Sequence, residues 1–257
     1  MEIQKTETLT NIIPAALMAG MEADAGLGYE TLDVDSKAKP FLILIQETTP
    51  MAKKSNADYV PGVEAGMFFN TVTKEYVTGE AGVRVIPCGY RRVFIERERP
   101  LDGAYIRTVD IGDQAVRDAR NVEENGKKLL VTPNGTKLVD TRYHFCLAAM
   151  GDGAFEPVVI TLKSSQISKS KTWNSIMERC KVRAATGAIL QVAPWWQIYN
   201  VTSKPESAKD HSWFGWDIKF AGVVQDGNLA TAGRAFYNLV INGGVSPDEK
   251  HEDVTPF

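Results

Sequence analysis

From Pro40 to Leu162 the apolar residues recur with the periods of strands rather than helices. FLILIQE, from Phe41, is a continuous apolar run of strand length, the pattern of a strand covered on both faces. GMFFNTVTKEYV, from Gly66, reads as a hairpin turning near Thr73 and Lys74. VRVIPCGYRRVFIERE, from Val83, reads as one long strand interrupted by Pro87 and Gly89, which predicts a bulge or bend there. KLLVTPNGTKLVDTRYHFCLAAM is the clearest hairpin, because Asn134-Gly135 supplies the positive φ angles of a tight turn. PVVITL follows as another strand.

The period then changes. Between Ser164 and Val182, Trp173, Ile176, Met177 and Cys180 fall on one face of a helix, with the basic residues mostly off that face. Strand texture returns over Ile189 to Val201 and Trp213 to Val223, around the polar stretch VTSKPESAKDHS, which reads as a loop. A last helix, Leu229 to Ile241, stops at Asn242-Gly243-Gly244. A short helix is expected near the start, from Asn11 to Ala25. The string predicts a β-rich α+β fold: an oligonucleotide-binding-like barrel with added helices, or two packed sheets, which would leave the same pattern. The expected organisation is an N-terminal helical segment over 1–39, a β-rich core over 40–242, and a flexible acidic tail over 243–257.

Composition narrows the class. Hydrophobic residues at 44% and charged residues at 24% are the balance of a globular protein rather than of a disordered chain. No stretch reaches the roughly 18 uncharged apolar residues of a membrane span, and MEIQKTETLT lacks the basic region of a signal peptide. The expectation is a cytoplasmic protein with no membrane partner. Cys88, Cys146 and Cys180 are far apart and outside any CxxC, so buried thiols are expected rather than disulfides or a zinc site.

The net charge of −3 argues against a polyanionic partner until its distribution is considered. Asp248, Glu249, Glu252 and Asp253, against Lys250, account for that excess, so the body is near neutral. From Lys163 to Arg183, six cations face the single acid Glu178. Such a stripe can hold phosphates in a mildly acidic protein.

Catalytic chemistry finds little support. His144, His211 and His251 form no HxH or HExxH, and no phosphate-binding loop, dinucleotide fingerprint or nucleophile elbow is present. Glu96 and Glu98 share a strand face but alternate with Arg97 and Arg99, with which they would pair on a solvated surface. No catalytic residue, metal or cofactor is assigned.

Three stretches suit a single-stranded nucleic acid, which needs cations for phosphates and aromatic faces for bases. Tyr90, Arg92 and Phe94 alternate along one strand face, to be read as a base platform or as a core face with a miscounted bulge. Trp195, Trp196, Trp213 and Trp216 lie in two flanking strands, where adjacent residues point to opposite sides; one of each pair would face outward or pack in the core. Lys169, Lys171, Lys181 and Arg183 belong to the basic segment, either phosphate contacts or the solvated side of an amphipathic helix.

The last eleven residues, PDEKHEDVTPF, resemble the acidic tails of bacterial single-stranded DNA-binding proteins, which end in a hydrophobic tip with terminal Pro-Phe. The matching residues are Glu252, Asp253, Pro256 and Phe257, with Val254 and Thr255 where that family commonly has acidic and isoleucine positions. The body lacks that family's glycine- and glutamine-rich linker, and its texture is closer to phage-encoded single-stranded DNA-binding proteins. The resemblance implies a non-catalytic protein of phage DNA replication or recombination, with single-stranded DNA as ligand and replication or repair proteins docking on the tail. A homo-oligomer stays open. The competing expectations are a virion structural or assembly protein and a metal-dependent nuclease using scattered carboxylates.

Overall fold

A computed structural model describes residues 14–24, 27–29, 36–99, 103–124, 126–151, 153–208 and 211–245. The chain divides into two units, 1–38 and 39–257. In the first, helix α1 (Ala15–Ala23) begins after Pro14. The helix expected from Asn11 to Ala25 is thus seen from residue 15, and Asn11 to Ile13 and Ala25 lie outside the described residues.

The second unit opens with a small antiparallel sheet of β1 (Leu42–Leu44), β2 (Phe68–Asn70) and β3 (Tyr76–Val77). The long strand β4 (Val83–Arg97) leads into an inserted arm: β5 (Tyr105–Asp110), α2 (Gln114–Asp118), β6 (Arg120–Glu124) and β7 (Lys127–Val131). Next come β8 (Lys137–Met150), β9 (Glu156–Lys163) and helix α3 (Ile167–Arg179). A two-stranded hairpin of β10 (Lys181–Arg183) and β11 (Ile189–Gln191) precedes a 3-10 turn, Pro194–Trp196. Strands β12 (Gln197–Ala208) and β13 (His211–Val223) and helix α4 (Gly227–Ile241) complete it.

The antiparallel path β9-β8-β4-β12-β13, with α3 between β9 and β12, is the strand order of an oligonucleotide-binding barrel. Between its two end strands sits β1. Phe41 bridges Val159 in parallel, and the Val159 amide donates to Pro40 O at 2.8 Å. On the other side a side chain replaces strand pairing: Gln46 Nε2 donates to Phe214 O at 2.9 Å, and the Phe214 amide donates to Gln46 Oε1 at 2.8 Å. One amide thereby satisfies two backbone groups that an open edge would leave unpaired.

Strand alternation sorts the apolar residues into an inner and an outer core. Leu42, Leu44, Val83, Val85, Cys146, Ile160, Leu162, Val201 and Trp216 fill the barrel together with Trp173 and Met177 of α3. Phe41, Ile43, Ile45, Ile86, Cys88, Phe145 and Val159 face outward beneath Ala230, Phe236 and Val240 of α4. The expected bulge in β4 lies between Pro87 and Gly89. One extra residue inverts the alternation, so the outer core takes Ile86 and Cys88 before it and Val93 and Ile95 after it. Tyr90, Arg92 and Phe94 are thereby turned onto the face that carries His144 and Arg142 of β8. Gly89 lets α4 approach, since a Cβ there would lie 2.9 Å from Val240 Cγ1.

Three local expectations need correction. The polar stretch VTSKPESAKDHS is mostly strand, because beyond Ser203 the β12-β13 hairpin has no further strand partner among the described residues and its polar side chains meet solvent. Pro205 fits such an edge because its missing N–H costs no ladder bond there. Helix α3 ends at Arg179 rather than Val182, and Ile176 lies on its exposed side at 36% accessibility. The stretch from Ile189 to Val201 is two strands broken at Pro194 by a 3-10 turn, so Trp195 and Trp196 do not alternate as strand neighbours. A small separate core of Phe94 from β4, Val109 from β5 and Leu138 from β8 lies at the base of the arm. Among the described residues no helix is long and apolar enough to cross a membrane.

Candidate nucleic-acid interface

Helix α3 is held to the barrel by Ser170, Trp173 and Met177, buried at the spacings that share one helix face. Trp173 stacks on His144 with ring centroids 4.4 Å apart, and His144 Nε2 lies 2.8 Å from Ser170 Oγ. Burial holds the His144 imidazole neutral, pushing its pKa down to about 3, with the Arg142 charge acting in the same direction. Lys171, Thr172, Ser175, Ile176 and Arg179 of α3 wall one recess, and Asn174, Met177 and Glu178 wall a second.

The first recess, of about 950 Å³, lies between α3, the segment Cys180 to Val182, and the end of β13. Lys171, Arg179 and Lys181 line it without any carboxylate among the lining residues. None of the three forms an ion pair among the described residues. Its apolar surface includes Ile176 and Phe220, the latter 46% exposed. The Phe220 ring packs edge-on against Tyr199 at 5.6 Å.

The second recess, of about 630 Å³, is lined by Tyr90, by Asn174, Met177 and Glu178 of α3, and by Gln191 to Pro194. Tyr90 is 41% exposed; its ring lies 5.1 Å from that of His144, and its hydroxyl accepts from Arg142 Nη1 at 3.3 Å. Lys181 of one recess and Gln191 of the other are partners in the β10-β11 ladder, so the recesses share a wall.

A family model for Pam3 phage gp34-like proteins matches residues 5–246. The chain belongs to that family. No curated protein and no solved structure matches it. The family is associated with phage, and its description states no activity.

In this member of the phage family the residues singled out from sequence fall in several places. Lys171 and Lys181 line the first recess and Tyr90 the second. Arg92 makes a two-pronged pair with Asp140, Nε at 3.0 Å and Nη2 at 2.8 Å, and its guanidinium lies 5.2 Å from the Phe94 ring. Burial would raise the Asp140 carboxyl, but hydrogen bonds from Arg92 and Arg142 outweigh it and hold the group below the usual carboxylate range. Phe94 itself is buried at 6% accessibility.

Lys169 Nζ lies 2.7 Å from Glu206 Oε1, and Glu206 also accepts from Trp213 Nε1 at 3.0 Å. Trp216 is buried, its ring 5.1 Å from Phe68, while Trp195 packs on Tyr237 of α4 at 4.7 Å. Trp196 is 41% exposed on the 3-10 turn. Arg183 is exposed on the β10-β11 hairpin and donates to Gly187 O at 3.3 Å. Glu252, Asp253, Pro256 and Phe257 lie outside the described residues.

The pairing expected for the strand carboxylates is different too. Glu96 is buried and accepts from Arg107 Nε at 2.7 Å across the β4-β5 ladder, while Arg99 pairs with Glu124. Among the described residues no group of histidine, cysteine, aspartate and glutamate converges as a metal site. Sequence reading missed Arg179 and Phe220. Arg179 stood within the basic segment, and Phe220 carried no signal beyond its place in a strand.

Proposed function

We propose that the protein is a non-catalytic single-stranded DNA-binding protein of phage replication or recombination, holding the strand in the first recess. The observation that carries this reading is the gathering of Lys171, Arg179 and Lys181, unpaired among the described residues, around the exposed ring of Phe220. Phosphates would meet the cations while a base stacks on the ring, an arrangement that tolerates any sequence because every base has a π-face. The barrel strand order adds support, since such barrels commonly carry oligonucleotides. The outer face of β8 and β9, a frequent ligand face in these barrels, is occupied here by the outer core, which favours the α3 side instead.

Of the other cations singled out from sequence, Lys169 is committed to Glu206 and Arg92 to Asp140, while Arg183 is exposed on the β10-β11 hairpin outside the lining of the recess. Glu252, Asp253, Pro256 and Phe257 would dock partner proteins, the aromatic filling a pocket whose basic rim meets the acids. The test is a titration of a labelled single strand of about thirty nucleotides at low salt. Saturable binding that weakens in the triple variant K171A/R179A/K181A supports the assignment. An absence of binding ends it, and Mg²⁺-dependent cleavage of the strand would replace it with a nuclease.

A further inference from the structure

The second recess differs from the first in chemistry as well as position. Among the described residues its lining contains one charged residue, Glu178, and no cation. The Glu178 side chain makes no ion pair among the described residues. Gln191 Nε2 donates to the Glu178 backbone carbonyl at 2.7 Å, so the exposed Gln191 keeps its side-chain oxygen as an acceptor. Asn174 Oδ1 is out of solvent and has no hydrogen-bond partner among the described residues. The exposed side chains of Glu178 and Gln191 thus present acceptors beside the exposed ring of Tyr90.

From this we infer that the second recess is a nucleobase pocket that favours bases carrying an exocyclic amino group over thymine. The inference rests on the proposed function and names the specificity of the same interface. Cytosine and thymine make the case, because they have the same size and the same stacking face. They differ at position 4, where cytosine offers an amino donor and thymine a carbonyl acceptor. A carboxylate accepts only, so Glu178 gains a charge-assisted hydrogen bond from the one and meets a lone pair on the other.

The common wall gives the division of labour a physical basis. Lys181 and Gln191 are ladder partners, and the Val192 amide donates to Cys180 O at 3.3 Å. As ladder partners, Lys181 and Gln191 project from the same face of the hairpin, so a cation of the first recess and an acceptor of the second stand side by side where the recesses meet. A strand lying across this junction can set its phosphates against the first and turn a base into the second.

The experiment is a direct titration of the full chain with labelled oligo(dC) and oligo(dT) of equal length, repeated with Glu178→Gln and Tyr90→Ala. The wild type is expected to bind oligo(dC) more tightly by on the order of tenfold. Glu178→Gln should shrink that ratio to about twofold by weakening oligo(dC) and retaining or raising oligo(dT) affinity, since an amide can serve either base. Tyr90→Ala should weaken both through lost stacking. Circular dichroism and the retained oligo(dT) affinity separate loss of discrimination from misfolding. Equal affinities in the wild type, or a ratio that survives Glu178→Gln, would overturn the inference and leave the proposed function standing. Failure of both oligonucleotides to bind would overturn the proposed function and this inference with it.

Discussion

Lys169 and Glu206 meet at 2.7 Å, and this ion pair separates Lys169 from the other cations of α3. It joins the start of the helix to β12, and hydrogen bonds from Lys169 and Trp213 outweigh burial to hold the Glu206 carboxyl below its usual range. Both partners are partly exposed, so the pair contributes about 1 kcal/mol or less. Lys169→Ala is accordingly expected to leave stability nearly unchanged and to move the salt dependence of DNA binding little.

Lys171, Arg179 and Lys181 should behave differently. Each phosphate contact on a single strand contributes about 0.7 to the slope of log affinity against log salt. The triple alanine variant should lower the magnitude of that slope by about 2. Fluorescence anisotropy at several salt concentrations measures it directly, and a slope equal to that of the wild type would place the phosphates elsewhere.

Phe220 and Trp216 sit on the same strand with opposite consequences. Phe220→Ala should weaken binding by about 1 to 3 kcal/mol with the thermal midpoint near that of the wild type, because the ring is half in solvent. Trp216→Ala should destabilise the fold by about 3 to 5 kcal/mol, because it empties part of the barrel interior. Parallel denaturant and binding titrations distinguish the two.

His144 couples stability to pH. In the unfolded chain its pKa returns to about 6.5, while burial holds it near 3 in the fold. The unfolded state therefore binds the extra proton between those values. Stability is full above about pH 6.5 and falls as pH drops toward 3, by up to about 1.4 kcal/mol per pH unit. The groups around the ring are Arg142, Tyr90, Trp173 and Ser170, of which Arg142 opposes protonation. Denaturant midpoints from pH 7 to pH 4 should fall less steeply in His144→Gln than in the wild type.

The elements most legible in the sequence were those fixed by local chemistry. Asn134-Gly135 placed a hairpin, although only Gly135, at φ 83°, takes the positive angle expected of the pair, and Pro87 with Gly89 placed the bulge. Both depend on backbone preferences that neighbours in the chain reveal. Less legible was anything decided by a distant partner. Nothing local tells that Glu96 meets Arg107 across a ladder, or that Gln46 closes the barrel against Phe214.

The candidate interface follows the same division. Lys171 and Lys181 stood out because the basic run is contiguous in sequence. Phe220 did not, since its meaning comes from α3 packing beside the end of β13 to leave its ring uncovered. Phe94 looked like its neighbour Tyr90 by alternation, but Val109 of the inserted arm and Leu138 of β8 cover it. Strand period assigns a face; only the tertiary fold decides what lies over it.

The central claim is tested most directly by titrating a labelled, mixed-sequence single strand of about thirty nucleotides and the matching duplex at two salt concentrations. The account expects saturable, single-strand-selective binding that weakens at the higher salt. Equal binding to the duplex, or no binding to either at the lower salt, would contradict it.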